Sequence, residues 1–252
     1  MSDCSVCWRR TRSGSLVAVS AYEYSGLRIP DTPEETWMSL TVLGALTTHP
    51  DRRRGACALI PIKERARCKT RLAEALPPPT RVEFVRSMLN AVLAAAASAQ
   101  TVHQIIVISP ERDAVPAEVP VLADTGESLN SALCQAHAML REFGMREIVI
   151  LPADLPKVTG AEIDALVRAG RVGGFAIAPD SAGVGTNALC LVSSSVFRFQ
   201  FGPESQRLHV QAAQRMGLSP QVVHLPGLEF DVDVPADLHL LDEQPWLARL
   251  RA

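Results

Sequence analysis

The 252-residue chain lacks any apolar run approaching the roughly 20 residues that a membrane-crossing helix needs. Its longest weakly apolar stretch, Met88–Ala99, is alanine-rich and reads as a buried helix. An excess of one charge sign is also missing. The formal net charge is −2, so no global basic field draws the chain to nucleic acid or to a membrane surface. There is no G-x-x-x-x-G-K-[ST], which argues against a P-loop nucleotidase, and no G-x-S-x-G to mark a serine hydrolase. No internal repeat is visible. Of the cysteines Cys4, Cys7, Cys57, Cys68, Cys134 and Cys190, only Cys4 and Cys7 form a C-x-x-C, with no second pair and no histidine at finger spacing. A structural zinc needs four ligands, so this pair is incidental, and the plain expectation is reduced thiols in a cytoplasmic protein.

What is present is an ordinary enzyme-like balance, 47% hydrophobic and 21% charged. Residues 1–54 are polar and basic at both ends, with short apolar patches between, and are expected to be a poorly ordered N-terminal extension. From residue 55 to 252 the pattern is regular. "CALIPIK", "HQIIVIS", "REIVILPADLP", "GFAIAPD" and "ALCLV" read as buried strands. Between and after them, "PPPTRVEFVRSMLNAVLAAAASAQ", "GESLNSALCQAHAMLREFG", "TGAEIDALVRAG" and "GPESQRLHVQAAQRMG" have helical spacing with proline openings or glycine ends. "QVVHL" and "EFDVD" read as short extended segments and "PADLHLLDE" as a last helix. This alternation predicts an α/β fold with a doubly wound, mainly parallel sheet.

"PDSAGVGTNALCLV" has the spacing of a G-x-G-x-x-A dinucleotide fingerprint at Gly183, Gly185 and Ala188. That motif works only where the glycine turn opens a helix. Here the following residues read as a strand, so the glycines link two strands.

In a doubly wound sheet, ligands gather outside the carboxyl ends of the strands. Four polar clusters fall there. Lys63, Arg65, Arg67, Lys69 and Arg71 follow the first strand, and either form a solvated face or surround a triphosphate. Asp154 ends an apolar strand, as a helix cap or a metal ligand. Asp231 and Asp233 share one side of an extended segment, with Val232 on the other. Two such carboxylates suit Mg²⁺, which takes oxygen ligands; the alternative is that Asp233 caps the last helix. Gly202, Pro203 and Ser205 occupy a helix N-terminus, where free N–H groups favour an anion. His209 lies one turn behind, on the face of Ser205.

Taken in order, "IPIK…KTRLAEAL", "PADLP", "PDSAGVGTNAL", "FGPESQRLH" and "FDVDVPADL" resemble the CofC/FbiD guanylyltransferases of coenzyme F-420 biosynthesis, over roughly Ala56 to Asp242. The resemblance implies a Rossmann-like nucleotidyltransferase (MobA-like) fold. It also implies an enzyme that joins GMP from GTP to a three-carbon phosphorylated acid with release of pyrophosphate. The acid would be 3-phosphoglycerate, 2-phospholactate or phosphoenolpyruvate. It implies Mg²⁺ on Asp154, Asp231 and Asp233, and Lys63, with Lys69 and Arg71 of the same loop, near the phosphates. Thr186, Asn187, Gly202, Ser205 and His209 would meet the acid. Gly126 and Asn130 would lie on the nucleotide side, where Ser128 replaces the glycine frequent in the family. The competing readings are a molybdopterin or sugar nucleotidyltransferase, and a nucleotide-binding regulator without catalysis.

Overall fold

The computed structural model describes residues 6–10, 16–20, 55–62, 69–124 and 128–241. The chain divides into two compact units, Met1–Trp37 and Met38–Ala252. In the first, strand β1 (Val6–Arg10) pairs antiparallel with β2 (Leu16–Ser20). This ribbon falls within the expected extension, whose other residues lie outside the described ones.

The second unit is built on a seven-stranded sheet. Its strands are β3 (Ala56–Pro61), β4 (Val102–Ser109), β5 (Val121–Ala123), β6 (Glu147–Ile150), β7 (Phe175–Pro179), β8 (Thr186–Val192) and β9 (Gln221–Val222). Their spatial order is β5-β4-β3-β6-β8-β7-β9, and β8 alone runs against the rest. Among the described residues its α-helices are α1 (Pro78–Ser98), α2 (Leu129–Glu142), α3 (Gly160–Gly173), α4 (Ser205–Arg215) and the single turn α5 (Pro226–Glu229). Among the described residues no helix is long and apolar enough to cross a membrane.

Strand alternation explains how both faces are covered. Leu59, Ile106, Ile148 and Leu189 pack with Leu133 and Leu140 of α2, Ala213 of α4, and Phe197 and Phe199. The opposite face carries Ala58, Val149 and Cys190, all fully buried. There α3 lies on β7 and β8, with Gly170 against Cys190, and α1 packs on α3 and β4. With side chains buried on both faces, the strands read as continuous apolar runs. Burial pushes the Cys57 and Cys190 thiols well above their ordinary range, so neither is a ready nucleophile.

The glycine-rich segment is a tight connection between antiparallel β7 and β8. Gly183 has φ +70°, and its N–H donates to the Asp180 carbonyl at 2.9 Å. The Asp180 carboxylate accepts from the Val184 N–H at 2.9 Å. No helix opens there, so the dinucleotide reading fails. The "EFDVD" segment joins no strand, and the last helix is a 3-10 turn, Pro235–Leu241.

Asp164 of α3 ties that helix to the start of β4. It accepts from the Thr101 N–H at 2.8 Å, the Thr101 hydroxyl at 2.7 Å and the Gln100 N–H at 3.2 Å. Burial alone would push this carboxyl up. Those hydrogen bonds and nearby Arg168 outweigh burial and hold it below the usual carboxylate range. A carboxyl depressed on folding stabilises the fold above its unfolded pKa, and the contribution is lost as pH falls through the folded value. Asp164→Asn should therefore cost about 2 kcal/mol at pH 7, from weakened charge-assisted hydrogen bonds. Urea midpoints of wild type and variant should differ at neutral pH and converge in acid. A gap that stays constant with pH would contradict this account.

Candidate active site

The sheet fixes where a ligand can sit. From β3 the chain winds outward through β4 to β5, then returns to place β6 on the other side of β3. The carboxyl ends of β3 and β6 therefore flank a switch point, where diverging connections leave a crevice. A cavity of about 650 Å³ opens there, in the size range of small-molecule sites.

One wall is charged. Lys69 carries a left-handed backbone, φ 49° and ψ 43°, which is unfavourable for a residue with a side chain. Its ammonium lies 2.6 Å from Asp154 Oδ2, beyond the end of β6, and 2.8 Å from Asp233 Oδ1. Arg71 Nη1 approaches Asp233 Oδ2 at 3.6 Å. Burial would lower the Lys69 pKa, but Asp154 and Asp233 outweigh it and raise it. The ammonium stays charged.

Asp231 and Asp233 both line the cavity, while Val232 is buried among Leu72, Phe84 and Met88. The alternation expected from an extended segment thus holds without a sheet partner. The Val232 N–H also donates to the Asp154 carbonyl at 3.3 Å, joining the two carboxylate loops. The capping alternative for Asp154 does not hold. Thr159 and Glu162 form the capping box of α3, and Asp237 accepts the N–H groups of Asp233 and Val234. Burial raises the Asp231 pKa, and Asp154 and Asp233 raise it further.

The other wall is polar and largely uncharged. Thr186 and Asn187 enter it from the start of β8, and Gly202 and Ser205 from the approach to α4. Asn187 donates through Nδ2 to the Glu229 carbonyl at 3.0 Å and to Asp231 Oδ1 at 3.3 Å. Gly202, at φ +131°, takes a conformation open to glycine alone. Ser205 is only 2% exposed, yet its hydroxyl has no hydrogen-bond partner among the described residues. A buried unsatisfied hydroxyl lining a cavity calls for a ligand.

Two expected site residues stand back from the cavity. His209 is fully buried behind Thr186, with Nδ1 3.1 Å from Thr186 Oγ1. Asn130 spends both ends of its amide on Phe201, donating to its carbonyl at 3.0 Å and accepting its N–H at 2.7 Å. Ser128 caps α2 by accepting the Ser131 N–H. Lys63, Arg65, Arg67 and Gly126 lie outside the described residues. Sequence reasoning missed Val85 and Met88, which wall the cavity from α1, and Asp124 after β5. The signal for Asp124 was "VLAD", a carboxylate closing a short apolar run.

Residues 56–241 match the family described as Guanylyl transferase CofC like. The chain is 37% identical over 191 residues to a phosphoenolpyruvate guanylyltransferase of Rubrobacter xylanophilus, covering 73% of this chain and 92% of the relative. It is 36% identical over 188 residues to a protein of the same name from Sphaerobacter thermophilus, covering 73% and 91%. Among solved structures, a CMP:2-keto-3-deoxy-manno-octonic acid synthetase complexed with CTP superposes with a TM-score of 0.52 at 13% identity, covering 77% of this chain and 99% of that one. That likeness places the sheet in the nucleotidyltransferase fold. The family match covers both walls of the cavity, from β3 to the 3-10 turn after Asp233. The chain belongs to the CofC-like guanylyl transferase family.

Proposed function

We propose that this enzyme transfers the guanylyl group of GTP to the phosphate of a three-carbon acid, phosphoenolpyruvate first, in coenzyme F-420 biosynthesis. The names of its relatives support that acid. 3-Phosphoglycerate and 2-phospholactate present the same phosphate and carboxylate on three carbons. The observation that carries the reading is the buried Ser205 hydroxyl, without a hydrogen-bond partner among the described residues, which shares one cavity with the Lys69 cluster. Hydroxyl donors suit the acid, and the charged wall suits the triphosphate.

A phosphate oxygen of the acid attacks the α-phosphorus of GTP while the bond to pyrophosphate breaks. The attacking oxygen is already an anion, so no general base is required and no proton is left over. The difficulty is charge. Lys69 and Arg71 offset part of it, and Ser205 and Thr186 fix the attacking molecule against the far wall.

Mg²⁺ fits the donor set. Asp154 and Asp231 would supply oxygen ligands without a nearby Cys, and burial, followed by the neighbouring Asp154 and Asp233 carboxylates, raises the Asp231 pKa at a site that a cation would relieve. Among the described residues no three His, Cys, Asp or Glu side chains gather to hold a metal, so the expected set of Asp154, Asp231 and Asp233 is not assembled as three ligands, and substrate oxygens and water would have to complete the shell. Asp233 would stand beside it, holding Lys69. When bound, the ion would neutralise phosphate charge.

Purified protein with GTP or CTP, Mg²⁺ and each acid in turn should give guanylylated phosphoenolpyruvate and one pyrophosphate per product, by mass detection. Preference for CTP, or absence of product, would contradict the proposal. Lys69→Met leaves Asp154 and Asp233 facing each other and should lower kcat at least about 100-fold, since roughly 3 kcal/mol or more of electrostatic stabilisation is lost. Unchanged kcat would remove Lys69 from the machinery. Ser205→Ala and Thr186→Ala should each raise KM for the acid about tenfold or more, with KM for GTP nearly constant. The reverse pattern would place the nucleotide on this wall.

A further inference from the structure

His209 makes two hydrogen bonds, and together they fix its proton. The Gln200 backbone N–H donates to Nε2 at 2.8 Å, so Nε2 must keep its lone pair. A neutral imidazole then carries its proton on Nδ1. Nδ1 faces Thr186 Oγ1 at 3.1 Å, so the ring is the donor and the threonine oxygen the acceptor. The imidazolium is excluded on geometry, because a second N–H on Nε2 would meet the Gln200 N–H head-on. The surroundings agree: the ring is fully buried, with Phe201 edge-on at 4.8 Å and Phe197 at 6.1 Å. Burial pushes the imidazole pKa down to about 4.

The consequence reaches the cavity. Thr186 Oγ1 has accepted from below, and its hydroxyl makes no other hydrogen bond among the described residues. Its own proton is therefore left for the cavity that Thr186 lines. We infer that His209 is a positioning residue that keeps the Thr186 proton turned away from the protein, so that this point of the wall offers a donor to a hydrogen-bond acceptor, such as an oxyanion of the substrate acid. The identity of that oxyanion rests on the proposed function; the proton arrangement does not. A free threonine hydroxyl could turn its proton back into the protein, whereas this one cannot while the His209 ring donates to it.

The same geometry supplies the test, because two amides each mimic half of the imidazole. An asparagine nitrogen falls near Nδ1 and can still donate to Thr186. A glutamine oxygen falls near Nε2 and can still accept from Gln200. His209→Asn should keep the KM for phosphoenolpyruvate within about threefold of wild type, whereas His209→Gln should raise it about tenfold, with kcat and the KM for GTP little changed. In the Thr186→Val background the two variants should no longer differ. Nitrogen-15 NMR of the wild-type histidines, at pH 7 and without substrate, should show His209 as the neutral Nδ1–H tautomer. An Nε2–H tautomer or an imidazolium overturns the inference whatever the variants do, and so does equal acid KM in His209→Gln and His209→Asn when both fold. If Ser205→Ala raises the acid KM and His209→Gln does not, the proposed function stands and this inference falls. If neither Ser205→Ala nor His209→Gln changes the acid KM, the inference falls together with the proposed place of the acid at this wall.

Discussion

The Lys69 ammonium holds this site together. It meets carboxylates from two parts of the chain that are far apart in sequence, Asp154 after β6 and Asp233 near the last turn. Without a cation between them those carboxylates would repel, and a pair of like charges near 4 Å costs about 4 kcal/mol at an effective dielectric of 20. The strained backbone of Lys69 is tolerable on that scale, since a left-handed residue costs about 1–3 kcal/mol. Asp231, beside them, receives less of that neutralisation. Burial first, and then the Asp154 and Asp233 carboxylates, raise its pKa.

The opposite wall works by a different principle. It offers hydroxyls and main chain instead of charge, and its precision comes from what lies behind it. His209 and Asn130 grip neighbouring residues of one segment, Gln200 and Phe201, from α4 and α2 respectively. Gly202 follows at once, with its own unusual φ. The cavity-facing residues are thus set by two polar side chains, buried His209 and half-buried Asn130, that do not line the cavity. In the proposed reaction one wall would meet the highly charged phosphates and the other would orient the acid, and a group transfer between two anionic reactants needs both.

Much of this was legible in the sequence. The buried strands appear as apolar runs because both faces are covered, and the Asp231–Val232–Asp233 alternation correctly put both carboxylates on one side. The glycines before Thr186 were separable from a dinucleotide motif because a strand, not a helix, follows them. Position in space was harder to read. His209 was expected at the ligand from its place behind a helix start and Asn130 from the family resemblance, yet His209 pairs with the Gln200 backbone and the Thr186 hydroxyl, and Asn130 with the distant Phe201 backbone. Lys69 could not be distinguished from the other cations of its loop, since only folding brings Asp154 and Asp233 to it. Asp124 was hidden by the brevity of β5, three residues that leave almost no periodic signal.

The central claim is that both reactants occupy one cavity and react directly, with no guanylyl-enzyme intermediate. The configuration at the transferred phosphorus tests it. With the α-phosphorus of GTP made chiral by a single thio substitution and phosphoenolpyruvate as acceptor, one in-line displacement inverts that centre, and inversion is the predicted result. Retention would require two successive displacements through a covalent enzyme species, and would contradict the account.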